Sequence, residues 1–156
     1  MSTFPTKILL ATDGSEDAKL AALTASDLAE KTDSELHVMY VGGEGFYETP
    51  LVDLATLEPT RVVQEYPDLL SDIEQTEREL LDNEVEQVEA AGGTVTQAHL
   101  SMGKAAPEIV VVAEEIGAGL IVMCSTSQGG IRRALLGTIS ESVVKHAHCP
   151  VLVVRE

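Results

Sequence analysis

The sequence predicts a single α/β domain built around a parallel β-sheet. Short apolar segments alternate with longer segments of helical periodicity along the chain. Strands that alternate with helices pair in parallel through right-handed crossovers. The apolar run at residues 120–123 is continuous, which is typical of a strand covered on both faces. The chain has 156 residues, which is the length of one such domain.

The first half of the chain begins with a predicted strand at residues 7–11, which ends at the turn Thr12-Asp13-Gly14. Ser15 has the side chain of a good N-cap, so we expect a helix over residues 16–31. Small residues let this helix pack closely on a sheet: Ala18, Ala21, Ala22, Ala25 and Ala29. A second strand is predicted at residues 35–41.

The second half of the chain begins with a helix that Pro67 starts and that runs to about residue 91. Its buried stripe is predicted to consist of Leu69, Leu70, Ile73, Leu80, Leu81, Val85 and Val88. Alternation at residues 94–100 predicts a third strand, and Pro107 opens a helix that ends near Gly117. Apolar runs at 120–123 and 151–154 predict the last two strands, with a helix from about Thr138 between them.

The segment at residues 42–66 carries no sustained periodicity and contains Pro50 and Pro59. It is too long for an ordinary connection between a strand and a helix. We therefore interpret it as a functional flap or a flexible insertion within one domain that spans residues 1–156.

The net charge of −16 lies entirely in the first part of the chain. Residues 1–100 hold 21 acidic and 5 basic side chains, a balance of −16, whereas residues 101–156 hold 5 of each. Nucleic-acid binding depends on lysines and arginines that neutralise phosphates, so we expect no nucleic-acid partner. We interpret the acid excess as a source of solubility.

Membrane insertion and metal binding are both disfavoured by the sequence. No apolar stretch reaches the roughly 20 residues of a membrane-spanning helix, and the N-terminus lacks a signal-peptide pattern, so we expect a cytoplasmic protein. Cys124 and Cys149 fit reduced thiols. His146, His148 and Cys149 lie close together, but metal ligands usually converge from several elements, so we expect no metal site.

Two loops are candidates for a ligand site, because ligands of doubly wound sheets bind beyond the carboxyl ends of the strands. The first is residues 11–14, where Asp13 either caps the turn or contacts a ligand. The second follows Met123 and contains glycines, arginines and the hydroxyl donors Ser125, Ser127, Thr138 and Ser140. Its spacing fits an anion cradle at a helix N-terminus and a ligand-free capped turn equally well.

Three segments resemble the universal stress protein family: residues 8–15, 103–109 and 120–155. The last contains Gly-Gly-Ile-Arg-Arg-Ala-Leu-Leu-Gly-Thr at 129–138 and His-Ala-His-Cys-Pro-Val-Leu-Val-Val at 146–154. This resemblance implies a five-stranded parallel, doubly wound sheet in the order 3-2-1-4-5, with helices on both faces and an adenine nucleotide alpha hydrolase-like fold. It also implies ATP or AMP as ligand, with Mg²⁺ as an optional companion, and a homodimer through Val151–Val154.

The family's nucleotide-binding branch also suggests which residues of this chain form the site. The nucleotide-binding residues predicted on this basis are Ala11, Thr12, Asp13, Val41, Met123, Cys124, Ser125, Ser127, Gly129, Gly130, Arg132, Gly137, Thr138, Ile139 and Ser140. That branch resembles a pattern of Gly, two residues, Gly, nine residues, then Gly-Ser or Gly-Thr. Here Gly137-Thr138 matches the end of the pattern, whereas Cys124 and Ser127 replace the first two glycines. A side chain at either position is expected to crowd a ligand or to change the loop path.

Three functions compete on this sequence. The first is a stress-response regulatory module that binds adenine nucleotide at the carboxyl ends of the strands. The second is a family member that binds no nucleotide and acts through dimerisation and protein interaction, as the altered glycines permit. The third is a slow ATP hydrolase, which is disfavoured because the chain has neither a Gly-x-Ser-x-Gly elbow nor a complete P-loop. We therefore expect no ordinary enzymatic activity.

Overall fold

The computed structural model describes residues 3–42, 67–125 and 138–155. The strands are β1 (Lys7–Thr12), β2 (Glu35–Gly42), β3 (Gln97–Met102), β4 (Leu120–Cys124) and β5 (Val151–Val154). The described helices are α1 (Glu16–Thr32), α2 (Pro67–Ala90), α3 (Ala105–Ile116) and α4 (Thr138–His146). The predicted flap at residues 42–66 lies outside the described residues, apart from Gly42.

The five strands form one parallel sheet in the order β3-β2-β1-β4-β5, which confirms the predicted fold class and strand order. β1 is the central strand, and Ile8, Leu9 and Leu10 are completely buried there. Burial on both faces explains why this strand is a continuous apolar run rather than an alternating one. β3 and β5 are the two edges of the sheet.

Two hydrophobic layers cover the sheet, one on each face. Alternate strand residues such as Leu10 and Val38 pack with the alanines of α1 and with Leu81 and Val88 of α2. The other strand residues, such as Leu9, pack with α3 and α4. Alanines on one face of α1 allow the helix to lie close to the sheet, as predicted: Ala18, Ala21, Ala25 and Ala29 are buried.

Helix boundaries follow local capping chemistry. The Ser15 hydroxyl accepts a hydrogen bond from the Ala18 amide at 3.3 Å, which confirms Ser15 as the N-cap of α1. α3 begins at Ala105 rather than at Pro107, so that prediction was two residues late. Proline is tolerated anywhere in the first turn, because the amides there have no intrahelical acceptor. Gly117 ends α3 in the left-handed conformation, with φ of 70°.

Two further predictions need correction. The third strand covers Gln97–Met102 instead of residues 94–100, because its register is set by pairing with β2, from His37 opposite Gln97 to Gly42 opposite Met102. Leu80 is 42% exposed, although it was predicted to lie in the buried stripe of α2. Its neighbour Leu81 takes the core position, since consecutive helical residues point about 100° apart.

A pair of histidines joins β2 to the edge strand β3. Nδ1 of the buried His37 lies 3.0 Å from Nε2 of His99, and Nε2 of His37 lies 3.2 Å from the Glu35 carboxylate. One proton between the two rings satisfies this arrangement, whereas two protonated rings would lose the hydrogen bond and repel each other. Burial, and then the neighbouring His37, lower the pKa of His99, which Glu115 of α3 partly offsets.

We expect the folded state to lose stability as the pH falls below about 6.5, the ordinary pKa of histidine. Because the pKa of His99 is lower in the folded state, the unfolded chain binds the proton more tightly. The stabilisation is therefore complete above that pH and is lost as the pH falls towards the folded-state pKa. Urea unfolding at pH 7.5, 6.5 and 5.5 measures this effect. His99→Gln should flatten the dependence, whereas the same change at the exposed His148 should preserve it.

Candidate functional site

The order in which the chain adds strands to the sheet reverses at β1. This strand pairs with β2 on one side and with β4 on the other, and the chain reaches β4 only after building β2 and β3. Helices that leave β1 and β4 therefore lie on opposite faces of the sheet. A crevice opens between the carboxyl ends of these two strands, which is where ligands of doubly wound sheets bind.

A pocket of about 70 Å³ lies at this crevice. Its walls come from the ends of β1, β2 and β4, from the first two turns of α3 and from the first turn of α4. The lining residues are Ala11, Thr12, Asp13, Met39, Val41, Ala105, Ile109, Met123, Cys124, Ile139 and Ser140. The surface is mostly apolar, with polar groups from Thr12, Asp13 and Ser140, a composition typical of small-molecule sites. We call it the switch-point pocket.

The structure brings many of the predicted site residues together in this pocket. The predicted residues that line it are Ala11, Thr12, Asp13, Val41, Met123, Cys124, Ile139 and Ser140. Ser125 and Thr138 directly follow β4 and begin α4, respectively, without lining the pocket. The other predicted residues lie outside the described part of the chain: Ser127, Gly129, Gly130, Arg132 and Gly137. Ligand contact by any of these residues stays a prediction.

Three pocket residues escaped the sequence analysis: Met39, Ala105 and Ile109. Met39 stands two positions before Val41, so both side chains face the same side of the sheet. Ala105 and Ile109 are one helical turn apart on α3. These two-residue and four-residue spacings indicate that each pair of side chains shares one face of its element. They do not distinguish pocket residues from ordinary core residues, because that depends on how β2 and α3 pack together.

The turn after β1 presents Asp13 at the pocket. The amide of Ser15 donates a hydrogen bond to Asp13 Oδ1 at 2.9 Å, and the amide of Gly14 donates to Thr12 Oγ1 at 3.3 Å. Gly14 has φ of 76°, in the left-handed region that glycine adopts without strain. Asp13 thus both stabilises the turn and lines the pocket, so the two interpretations of this residue are compatible.

Two helix N-termini face the pocket. α3 contributes Ala105 from its first turn and α4 contributes Ile139 and Ser140 from its own. The N-cap of α3, Lys104, has an extended backbone and its side chain makes no capping hydrogen bond. Backbone amides in a first turn lack intrahelical acceptors, and the helix dipole is positive there. The parts of the pocket beside these two helix starts are therefore suited to negative charge.

Cys124 lines the switch-point pocket and also belongs to the hydrophobic core. Cys124 is 7% exposed and belongs to the core layer that contains Leu10 and Ala18, on the α1 side of the sheet. Among the described non-glycine residues, Asp33 is the one with a positive φ, so Cys124 requires no glycine-like backbone. The expected crowding of a ligand or change of loop path at this position stays a prediction, and Ser127 lies outside the described residues.

A group of acidic side chains lies behind the turn, on the α2 side of the sheet. Thr12 Oγ1 donates a hydrogen bond to Glu84 Oε2 at 3.0 Å. Burial raises the pKa of Tyr40 to about 12, with further contributions from the charge of Glu77, the hydrogen bond to it, and the charges of Asp13 and Glu84. The Tyr40 hydroxyl therefore stays protonated and acts as a donor at neutral pH.

The described residues hold neither a group of metal ligands nor a membrane-spanning helix. In residues 3–42, 67–125 and 138–155, no three histidine, cysteine, aspartate or glutamate side chains are grouped to hold a metal ion. Over those ranges, too, no helix combines the length and apolarity that crossing a bilayer requires. Cys124 is buried and Cys149 is half-buried, and no disulfide joins them.

The comparisons with known proteins agree on one family. The model of the universal stress protein family matches residues 5–155. Universal stress protein MJ0531 of Methanocaldococcus jannaschii is 35% identical over 96% of this chain and 82% of its own length. Universal stress protein YxiE of Bacillus subtilis is 30% identical over 96% of this chain and 98% of its own length.

Solved structures of the same family share the fold. The universal stress protein UspA from Lactobacillus plantarum superposes with a TM-score of 0.73 at 24% identity, over 97% of this chain and 99% of its own. A universal stress protein in complex with cAMP has a TM-score of 0.65 at 19% identity, over 97% and 98% of the two chains. A universal stress protein from Archaeoglobus fulgidus in complex with dAMP has a TM-score of 0.61 at 18% identity, over 99% and 100%.

Proposed function

The chain belongs to the universal stress protein family, and from that premise we propose that it is a stress-response regulatory module that binds an adenine nucleotide in the switch-point pocket. The observation that carries this proposal is the composition of that pocket. Three strand ends and two helix N-termini converge there, next to the turn that presents Asp13. An apolar wall beside two positive helix ends suits a ligand with a flat base and a phosphate.

The residues divide into two groups on this proposal. Ala11, Met39, Val41 and Ile109 form the apolar surface that the base contacts. The phosphate lies towards the first turn of α4, near Ser140. Asp13 receives hydrogen bonds from the ribose or the base, because a carboxylate accepts them and repels phosphate. The named complexes of relatives with cAMP and dAMP support an adenine nucleotide as the class of ligand.

No chemical step is required by this role. The nucleotide acts as a signal whose binding selects one conformation of the protein over another. Slow hydrolysis of ATP is a separate activity, and it would appear as ADP that accumulates during a long incubation. We therefore assign binding rather than catalysis to the pocket.

A homodimer is the second part of the proposal. β5 is an edge strand of apolar residues, and Leu152 is 37% exposed there. An apolar edge strand invites pairing with another chain, and a two-fold axis lets the same edge of a second copy satisfy it. If the protein binds no nucleotide, the alternative function is a protein that acts through dimerisation by β5 and through interaction with other proteins. Sedimentation of the purified protein measures the dimer.

The proposal predicts that ATP or AMP raises the melting temperature of the purified protein. At a ligand concentration of about 100 times Kd, binding adds about 2.7 kcal/mol, which corresponds to roughly 5–10 °C for a chain of this size. Protein freed of bound nucleotide is titrated with ATP, AMP and inorganic triphosphate, each with and without Mg²⁺. If inorganic triphosphate raises the melting temperature as much as ATP does, the site is a simple anion site. The absence of any shift at millimolar ATP and AMP would reject nucleotide binding.

A further inference from the structure

At the ends of β1 and β2, the side chains of Thr12 and Tyr40 contact helix α2. Thr12 and Tyr40 are register partners on these neighbouring strands. The Thr12 side chain is buried and bonds to α2, while Thr12 lines the pocket together with its chain neighbours Ala11 and Asp13. Thr12 therefore connects the pocket to the helical layer behind it.

Helix α2 holds both strand ends with two glutamates that are seven residues, or about two helical turns, apart. Glu84 accepts the hydrogen bond from Thr12 Oγ1 at 3.0 Å. Glu77 is hydrogen-bonded to Tyr40, and its side chain lies so close to Gly42 that a Cβ there would be 2.5 Å from Glu77 Cγ. Helix α2 is thus anchored to the ends of both strands, to β1 through Thr12 and to β2 through Tyr40.

The hydroxyl of Thr12 has one hydrogen and two lone pairs. Because Glu84 takes the hydrogen, the oxygen presents its lone pairs to the amide of Gly14, 3.3 Å away. The direction of this hydroxyl therefore depends on Glu84. Two consecutive hydrogen bonds then run from α2 into the turn, where the adjacent bond from Ser15 to Asp13 fixes the carboxylate.

We propose that Glu84 is a positioning residue for the ligand: through Thr12 it holds the turn at residues 12–14, and with it Asp13, in the binding geometry. This inference rests on the proposed nucleotide site. Glu84 does not line the pocket, so it acts through another residue rather than by touching the ligand. Its half-buried carboxylate faces the turn from behind, where Oε1 would lie 3.7 Å from a Cβ at Gly14.

The negative charge of Glu84 allows the test to separate a positioning role from electrostatic repulsion, because the two have opposite effects on ATP binding. A carboxylate near an anionic ligand repels it, so removal of that charge alone would strengthen the binding of ATP. A positioning role has the opposite sign, because loss of the hydrogen bond loosens the turn and weakens binding. A purely structural role lowers the melting temperature and leaves the Kd of the folded protein unchanged.

The experiment is a double-mutant cycle on the Kd of ATP, measured by calorimetry well below the melting temperature. We expect Glu84→Ala and Thr12→Val each to weaken binding about tenfold, and the double variant to be no weaker than either single one. Glu84→Gln keeps an acceptor oxygen without the charge and should recover most of the affinity that Glu84→Ala loses. The exposed Glu86 lies on the same helix, and Glu86→Ala is the control for loss of one negative charge.

Two outcomes would overturn the inference while the wild-type protein binds ATP: unchanged or tighter binding by Glu84→Ala, or fully additive losses in the double variant. If the wild-type protein binds neither ATP nor AMP, the proposed function is wrong, and amide hydrogen exchange then decides whether Glu84 holds the turn. Exchange at Gly14 and Ser15 should be about tenfold faster in Glu84→Ala than in Glu86→Ala. Equal exchange rates would remove the role of Glu84 altogether.

Discussion

Leu10→Ala is expected to lower the free energy of unfolding by about 2–5 kcal/mol, the cost of a large-to-small change in a core that cannot collapse. Leu10 is completely buried in the central strand, between β2 and β4, and packs into the layer that α1 and α2 cover. Strands on both sides hold the backbone in place, so the cavity left by the side chain stays open.

Urea unfolding followed by circular dichroism measures this change, since the chain has no tryptophan for fluorescence. Leu23→Ala is the matched control, because Leu23 is 54% exposed on α1. The control should change the free energy of unfolding by about 0.5 kcal/mol or less. A loss below about 1 kcal/mol for Leu10→Ala would mean that the centre of the sheet can repack around the cavity.

Val41→Trp is expected to weaken the binding of ATP and AMP by about 100-fold or more, if the switch-point pocket is the nucleotide site. Val41 is partly buried and lines the pocket at the end of β2. The pocket has a volume of about 70 Å³, so an indole ring takes the space that the base needs. Because Val41 is only partly buried at the border of the core, the variant is expected to fold.

Calorimetric titration with ATP and with AMP measures the loss. Val111→Trp places the same bulky ring on the exposed face of α3, where Val111 is 45% exposed and does not line the pocket. That control should bind as the wild-type protein does. Equal affinities for Val41→Trp and the control would place the nucleotide elsewhere on the protein.

Local sequence patterns predicted the alternation of strands and helices, whereas the strand order was implied by the family resemblance. The continuous apolar run that became β4 and the Ser15 cap of α1 depend on neighbouring residues alone, and both predictions were confirmed. The third strand was misplaced because Thr94, Val95 and Thr96 alternate like a strand, yet pairing with His37 begins only at Gln97. Register of this kind depends on a partner about 60 residues away, which no local pattern encodes.

The candidate site was less accessible to sequence analysis. Asp13 stood out because it is polar and follows a strand, whereas Met39 and Ile109 are apolar residues that gain a second role only when β2 and α3 meet at the crevice. The histidine pair escaped for the same reason, since His37 and His99 are 62 positions apart. Glu84 was one of many acidic residues on α2 until its hydrogen bond to Thr12 distinguished it.

The two edges of the sheet differ in composition, and the proposed dimer uses one of them. β3 alternates the polar Gln97, His99 and Ser101 with the apolar Ala98, Leu100 and Met102, while β5 consists of valine and leucine alone. A two-fold axis pairs the same edge of both copies, so the proposed dimer would use both β5 edges and leave none of them for a third copy. Assembly through β5 would therefore end at a closed pair instead of growing into a filament.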